Sequence, residues 1–232
     1  MRSSRNPTSL LVTAVICSLL LCACSKTKKE YYPDGKLKSE ITLKSGKMNG
    51  PAVWYYENGQ RQLECHYSSD SLEGPSTRWY SNGNKQSEDH YVNNRKNGQS
   101  FIYDESGRLA GEEFYMNDTL HGPYREYYTN GQINIDGYFR KGLYDSIWNY
   151  YDRRGIQVGT GEFRNGSGQL SAFYWNGKMK RSIEYKDNHK HGKEIWYAED
   201  GRITKEILFE DGRISSVITG DTSSISQDIS SE

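Results

Sequence analysis

The sequence is short of the side chains from which a globular core is usually built. Leu, Ile, Val and Phe number 41 among 232 residues, about 18%, below the ~20% at which a chain begins to resemble a disordered one. A thick aliphatic core is therefore excluded. Net charge is also lacking, because 30 basic and 30 acidic residues cancel. That removes the basic footprint expected of a nucleic-acid binder and the charge excess that accompanies disorder. Cysteine is scarce, with Cys17, Cys22, Cys24 and Cys65 making four, so no disulfide framework is implied. No Gly-Lys-Ser/Thr phosphate loop, no His-Glu-x-x-His and no Gly-x-Ser-x-Gly occurs, and no enzyme, cofactor or metal is expected. What the chain has instead is 19 Tyr, 5 Trp and 23 Gly. Rings and turns must replace aliphatic packing.

The one long apolar run, Leu10 to Ala23, is too short to span a bilayer as a helix, which takes about 20 residues. It follows Arg2 and Arg5 and ends Leu21-Cys22-Ala23-Cys24. This resembles the lipobox of bacterial lipoproteins and implies cleavage after Ala23 with lipidation of Cys24. Without acylation it would be an ordinary secretory signal. Removing residues 1–23 takes away two Arg and no acid, leaving 28 basic against 30 acidic residues. Residues 24–30 read as a short polar tether. No acidic stretch follows the cysteine, so the expected location is the cell envelope, lipid-anchored and facing the periplasm.

Beyond residue 30 the sequence repeats. Glycines stand at 35, 59, 83, 107, 131, 155, 177 and 201, at spacings of 24 except for one of 22. Four residues before each stands an aromatic: Tyr31, Tyr55, Trp79, Tyr103, Tyr127, Tyr151, Phe173 and Tyr197. Eight after stand Leu43, Tyr67, Tyr91, Tyr115, Phe139, Phe163, Tyr185 and Phe209. Eleven after, only Gly, Asn or Asp occurs, the residues that tolerate a left-handed backbone. A second glycine follows at Gly50, Gly74, Gly98, Gly122, Gly168 and Gly192, with Ser146 replacing it once. Two turns per 24 residues leave two strands of seven or eight residues, and Asn58-Gly59, Asn82-Gly83, Asn130-Gly131 and Asn176-Gly177 are hairpin signals. The fold class is all-β, an elongated single-layer antiparallel meander of about eight 24-residue hairpin repeats and about 16 strands, over residues 31–214. A Ser-rich tail, 215–232, is expected to add an edge strand at most and otherwise to be disordered.

Register follows from the first turn. A two-residue loop at Asn58-Gly59 would pair Tyr55 with Gln62, whereas a three-residue loop with Gly59 left-handed sets Tyr55 opposite Arg61. The column two after each glycine (Leu37, Arg61, Lys85, Leu109, Ile133, Gln157, Met179, Ile203), apolar at five of eight positions, favours the three-residue loop. It is then expected to place Leu63, Cys65 and Tyr67 on the face of Tyr55, so that both aromatic columns form one core row. Cys65 shares its column with Ile41, Ile183 and Ile207 and reads as a small core residue.

The pattern aromatic-Asn-Gly-x-Leu, followed by Gly-Pro and a Tyr pair, resembles the MORN-variant repeat. Tyr103 to Leu109 with His121-Gly122-Pro123, and Tyr127-Tyr128-Thr129-Asn130-Gly131, carry it most clearly. Long arrays of this kind are similar to the YwqK family, described as antitoxin or immunity-like proteins. The resemblance spans about residues 31–214 and implies a protein partner, a toxin in the immunity case. The segment Tyr103-Asp104 to Gly107-Arg108-Leu109 is also similar to the YD repeat of large toxin shells, which lack the Gly-Pro half.

A surplus of rings lies outside the expected core row: Tyr56, Tyr80, Tyr128 and Tyr174 three before the glycine, with Tyr32, and Trp54, Tyr150 and Trp196 five before it. Rings on the second face of a sheet are expected to form a contact surface. Two functions compete for it. One is a membrane-tethered protein-interaction module. The other is an envelope structural protein binding glycan or lipid headgroups, although lipid would favour a basic stripe that is absent. Asp187, His189 and His191 read as solvated turn residues.

Overall fold

The computed structural model describes residues 25–220; the signal segment, Cys24 and residues 221–232 lie outside the described residues. The described chain is one open antiparallel sheet without a helix. Its strands are β1 (Ser25–Tyr31), β2 (Leu37–Lys44), β3 (Lys47–Tyr55), β4 (Arg61–Ser68), β5 (Ser71–Trp79), β6 (Lys85–Val92), β7 (Arg95–Lys96), β8 (Gly98–Tyr103), β9 (Leu109–Met116) and β10 (Thr119–Leu120). The second half comprises β11 (Gly122–Tyr127), β12 (Ile133–Arg140), β13 (Leu143–Tyr151), β14 (Gln157–Arg164), β15 (Ser167–Phe173), β16 (Met179–Lys186), β17 (His189–Tyr197), β18 (Ile203–Glu210) and β19 (Arg213–Thr219). Each row pairs with the rows before and after it in sequence, β6 with both β7 and β8 and β9 with both β10 and β11, leaving β1 and β19 as edges among the described residues. The 19 strands exceed the expected 16 for three reasons. Two rows are broken, into β7 with β8 and β10 with β11, and the expected tether is itself a strand.

That last point moves a boundary. Residues 25–30 belong to β1, in register from Ser25 opposite Lys44 to Glu30 opposite Ser39. The Lys29–Glu40 ion pair at 2.6 Å crosses the ladder. At the other end the sheet continues to Thr219, past the expected limit at 214.

The turns form as the glycines require. In the first turn of each repeat, Gly59 sits at φ 85° and its N–H donates to Tyr56 O while Tyr56 N–H donates to Gln60 O. This closes the three-residue loop. The second turn is a two-residue loop with both residues left-handed, from Ser45 and Gly46 (φ 53° and 79°) to Asp211 and Gly212 (47° and 82°). Successive second turns are stacked by backbone bonds, as when Asp70 N–H donates to Met48 O.

Tyr55 does oppose Arg61, but the next pair is Trp54 with Leu63. Gln62 is skipped, and this bulge swaps the faces. Leu63, Cys65 and Tyr67 therefore share the face of Trp54 and Ala52, because directly paired residues project to the same side. The two aromatic columns do not form one row. The column of Tyr67 to Phe209 lies on the packed face, which holds buried Ala52, Cys65, Phe139, Trp148, Phe163, Ile183, Ile207 and Phe209. The column of Tyr55 lies on the open face, where the Tyr55, Tyr103 and Tyr127 hydroxyls donate to Glu40, Glu88 and Glu112.

The second glycine marks another bulge. Ile41 pairs Ala52 and Leu43 pairs Met48, so one residue of β2 opposes three of β3, with Gly50 at φ 114°. The short repeat lacks this insertion. Between β14 and β15 the register runs unbroken, and Gly168 pairs Phe163 without a left-handed backbone. The two missing residues are thus the bulge itself, and Gly168 is not the counterpart of Gly50. Beside this regular stretch lies the densest core. Phe139 meets Tyr124 and Trp148 edge-on at 5.2 and 5.0 Å, and Tyr144 bridges Trp148 and Phe163 at 4.7 and 5.4 Å. Such pairs add ~0.5–1.5 kcal/mol each beyond area burial. Trp148 fits because Gly137 lies beneath it: a Cβ there would stand 2.3 Å from the indole.

Candidate interaction surface

The eight rings expected to form a contact surface divide into two sets, and all are half-buried. The first set is a chain of staples. Tyr56 Oη donates to Trp79 O at 2.8 Å, Tyr80 to Tyr103 O at 3.0 Å, Tyr128 to Tyr151 O at 2.8 Å and Tyr174 to Tyr197 O at 2.7 Å. Tyr32 does the same to Tyr55 O. Each hydroxyl binds the turn of one repeat to the last strand residue before the next turn. Asn58, Asn82 and Asn130 reinforce the stack, each amide donating to a carbonyl of the following turn. Where Asp104 or Asp152 replaces the tyrosine, the carboxylate caps its own turn, accepting from Arg108 and Ile156 N–H respectively.

The second set lies on the packed face. Tyr150 packs against the Phe139–Trp148–Phe163 cluster, and burial raises its phenol pKa. Trp196 donates to Glu194 at 2.8 Å and lies under the Arg181 guanidinium at 4.3 Å. Trp54 opposes Leu63 and Ser39 across the ladders. On the open face, Tyr103 is pushed up to about 12 by burial and by its bond to Glu88.

Polar groups also enter the packed face. Glu194 is buried and accepts from Arg181, Lys190 and Trp196. Burial opposes its charge, but the Lys190 hydrogen bond and the Arg181 charge outweigh it and hold the carboxyl below its ordinary value. Asp89 is buried against Lys96 and Ser100. Cys65 is buried and burial pushes its thiol up, as suits a core residue. His189 contacts Asp187 O, whereas His191 lies 3.2 Å from Asp211. Among the described residues no three His, Cys, Asp or Glu side chains gather as a metal site. Cys24 lies outside the described residues.

The most exposed ring is one the repeat columns did not single out. Trp175 occupies the loop position held elsewhere by Pro33, Glu57, Ser81, Glu105, Thr129, Arg153 and Glu199, and it is 82% exposed. Ile156 stands where the other first turns carry Lys36, Gln60, Asn84, Arg108, Gln132, Lys178 and Arg202, and it is 49% exposed. The two line one groove of about 350 Å³ with Val158, Phe173 and Tyr174, rimmed by Asp152, Arg154 and Gln157. Two neighbouring turns thus break the polar rule side by side. A departure from the turn columns was the available signal.

The match to a repeat family model agrees with the repeat architecture. No curated protein matches the chain. Among solved structures, a TcdB2–TccC3–TEV crystal structure is similar at 12% identity and TM-score 0.23, covering 86% of this chain and 13% of that one. The chain therefore spans only a small part of that protein. A porin-like protein from Bacteroides uniformis is similar at 9% identity and TM-score 0.23, covering 84% and 93%. The family model for the MORN repeat variant matches residues 26–45, 48–69, 72–93, 120–141 and 190–211. Each match covers a hairpin closed by a three-residue first turn, β1 with β2 in the first case, and ends at the first residue of the two-residue turn that follows, from Ser45 to Asp211. Over these five segments the chain is built of MORN-variant repeats.

Proposed function

We propose that the chain is a non-enzymatic repeat scaffold, lipid-anchored through Cys24 in a bacterial envelope, that holds a protein partner in the manner of an antitoxin or immunity protein. The repeat match supports the scaffold. The observation that carries the binding reading is the adjacent pair Ile156 and Trp175, exposed on turns whose counterparts are polar except for Pro33. Exposed Trp flanked by Arg is the composition of interface anchors. The contact surface is accordingly the turn groove, while the staple tyrosines and packed-face rings serve the sheet.

The test is capture from envelope extract on the mature chain, with and without Trp175→Ala. Recovery of one protein by the parent and its loss in the variant, at equal melting temperature, is the expected result. Enrichment of cell-wall sugar without protein would refute the reading and favour the glycan alternative. Incorporation of labelled fatty acid, abolished by Cys24→Ser, tests the anchor.

A further inference from the structure

The two edges of the sheet are chemically unlike. β1 carries Lys26, Lys28 and Lys29, with Lys28 and Lys29 side chains 56% and 47% exposed. Lysine on an edge is the usual protection against strand addition. β19 has no such guard. From Ile214 to Gly220 it bears no charge, and every one of its residues is exposed. Ile214, Val217 and Ile218 are 61%, 49% and 62% exposed, with Leu208 beside them at 40%. Val217 opposes Ile207 and so lies on the packed face, whereas Ile218 opposes Glu206 on the open face. Both faces of this edge therefore end in uncovered apolar side chains, and its outer backbone groups have no strand partner among the described residues.

We propose that β19 is a self-association edge, and that its occupant is β19 of a second copy of this chain. The backbone groups call for a strand, and the absence of charge suits a strand that is its own complement. A two-fold axis normal to the sheet keeps antiparallel pairing, keeps each packed face on one side, and sets Arg213 at opposite ends of the joint. End-to-end joining is disfavoured. β1 and β19 run in the same direction, because the broken pairs β7–β8 and β10–β11 each count as one row. Joining them with faces preserved would pair strands in parallel and set three lysines against the apolar edge. A seven-residue edge buries less than the ~1,200 Å² of a standard interface, so association is weak, with the dimer fraction rising between roughly 1 and 100 µM protein.

The experiment is sedimentation velocity over that range. It uses the chain from residue 24 with Cys24→Ser, which retains every ladder described. The parent is expected to dimerise. Val217→Lys with Ile218→Lys should weaken the dimer at least tenfold while the circular dichroism stays that of the parent, since the edge supports no further strand among the described residues. Three outcomes overturn the proposal: a parent that stays monomeric at 100 µM, a lysine variant that dimerises equally well, or a dimer that forms only after deletion of residues 221–232. The last would make the tail the occupant of the edge.

Discussion

The staple tyrosines allow a direct test of how the repeats cohere. Tyr56, Tyr80 and Tyr128 each donate one hydrogen bond, at 2.8, 3.0 and 2.8 Å, to a carbonyl 23 residues ahead. Replacement by Phe keeps the ring and removes only the hydroxyl. A hydrogen bond of this kind contributes about 0.5–1.5 kcal/mol net, and these sites are half-buried, so water partly replaces the lost donor. Each variant should therefore lose about 0.5–1 kcal/mol. The sites share no partner and lie in different repeats, so their effects should add. The triple variant then loses about 1.5–3 kcal/mol, a fall in melting temperature of about 3–12 °C for a chain of this size. Guanidinium unfolding followed by circular dichroism measures it, with Trp175→Ala as the exposed control that should move stability by less than ~0.5 kcal/mol. A triple variant as stable as the parent would refute the staple reading and return these rings to the contact surface.

Other changes probe the packed face. Trp148→Ala removes the centre of the ring cluster and both bonds of its indole N–H, to Tyr138 O and Asp145 O, and should cost about 3–5 kcal/mol in a denaturant titration. Gly137→Ala drives a Cβ into the same indole and should cost about 1–3 kcal/mol, with loss of the near-ultraviolet signal of Trp148. Glu194→Gln tests the buried carboxylate. Its folded pKa is lowered, so the stability it supplies is present above the ordinary glutamate range and is lost as pH falls through the lowered value. The variant should be weaker by about 2 kcal/mol or more at pH 7, and the difference should shrink in melts taken at progressively more acid pH.

The architecture was legible because the turns demand particular residues. Left-handed positions admit Gly, Asn and Asp, so their period exposed two turns per repeat, and the three-residue loop at Gly59 followed from the apolar column two residues after each glycine. The faces were not legible. They depend on whether Gln62 pairs or is skipped, and nothing in the identity of Gln62 reports that. One skipped residue carried Tyr67 to the face of Trp54 and parted the two aromatic columns. The staples were hidden for a related reason: the acceptor of Tyr56 is a backbone carbonyl, which has no sequence signature. The groove at Ile156 and Trp175 was missed because reading by columns rewards what recurs. Trp175 and Ile156 matter as departures from their columns. The strand at Ser25–Tyr31 was masked by its lysines, which suit an exposed edge as well as a tether.

The central claim is that partners are held at the Ile156–Trp175 turns and not by the tyrosine columns. It is tested most directly by titrating the captured partner against three chains: the parent, Trp175→Ala and the Tyr56→Phe, Tyr80→Phe double variant. Loss of a central aromatic anchor costs about 2–4 kcal/mol, so Trp175→Ala should weaken binding roughly 30- to 900-fold while the double variant binds as the parent does. Unchanged binding by Trp175→Ala together with a loss in the tyrosine variant would contradict the account.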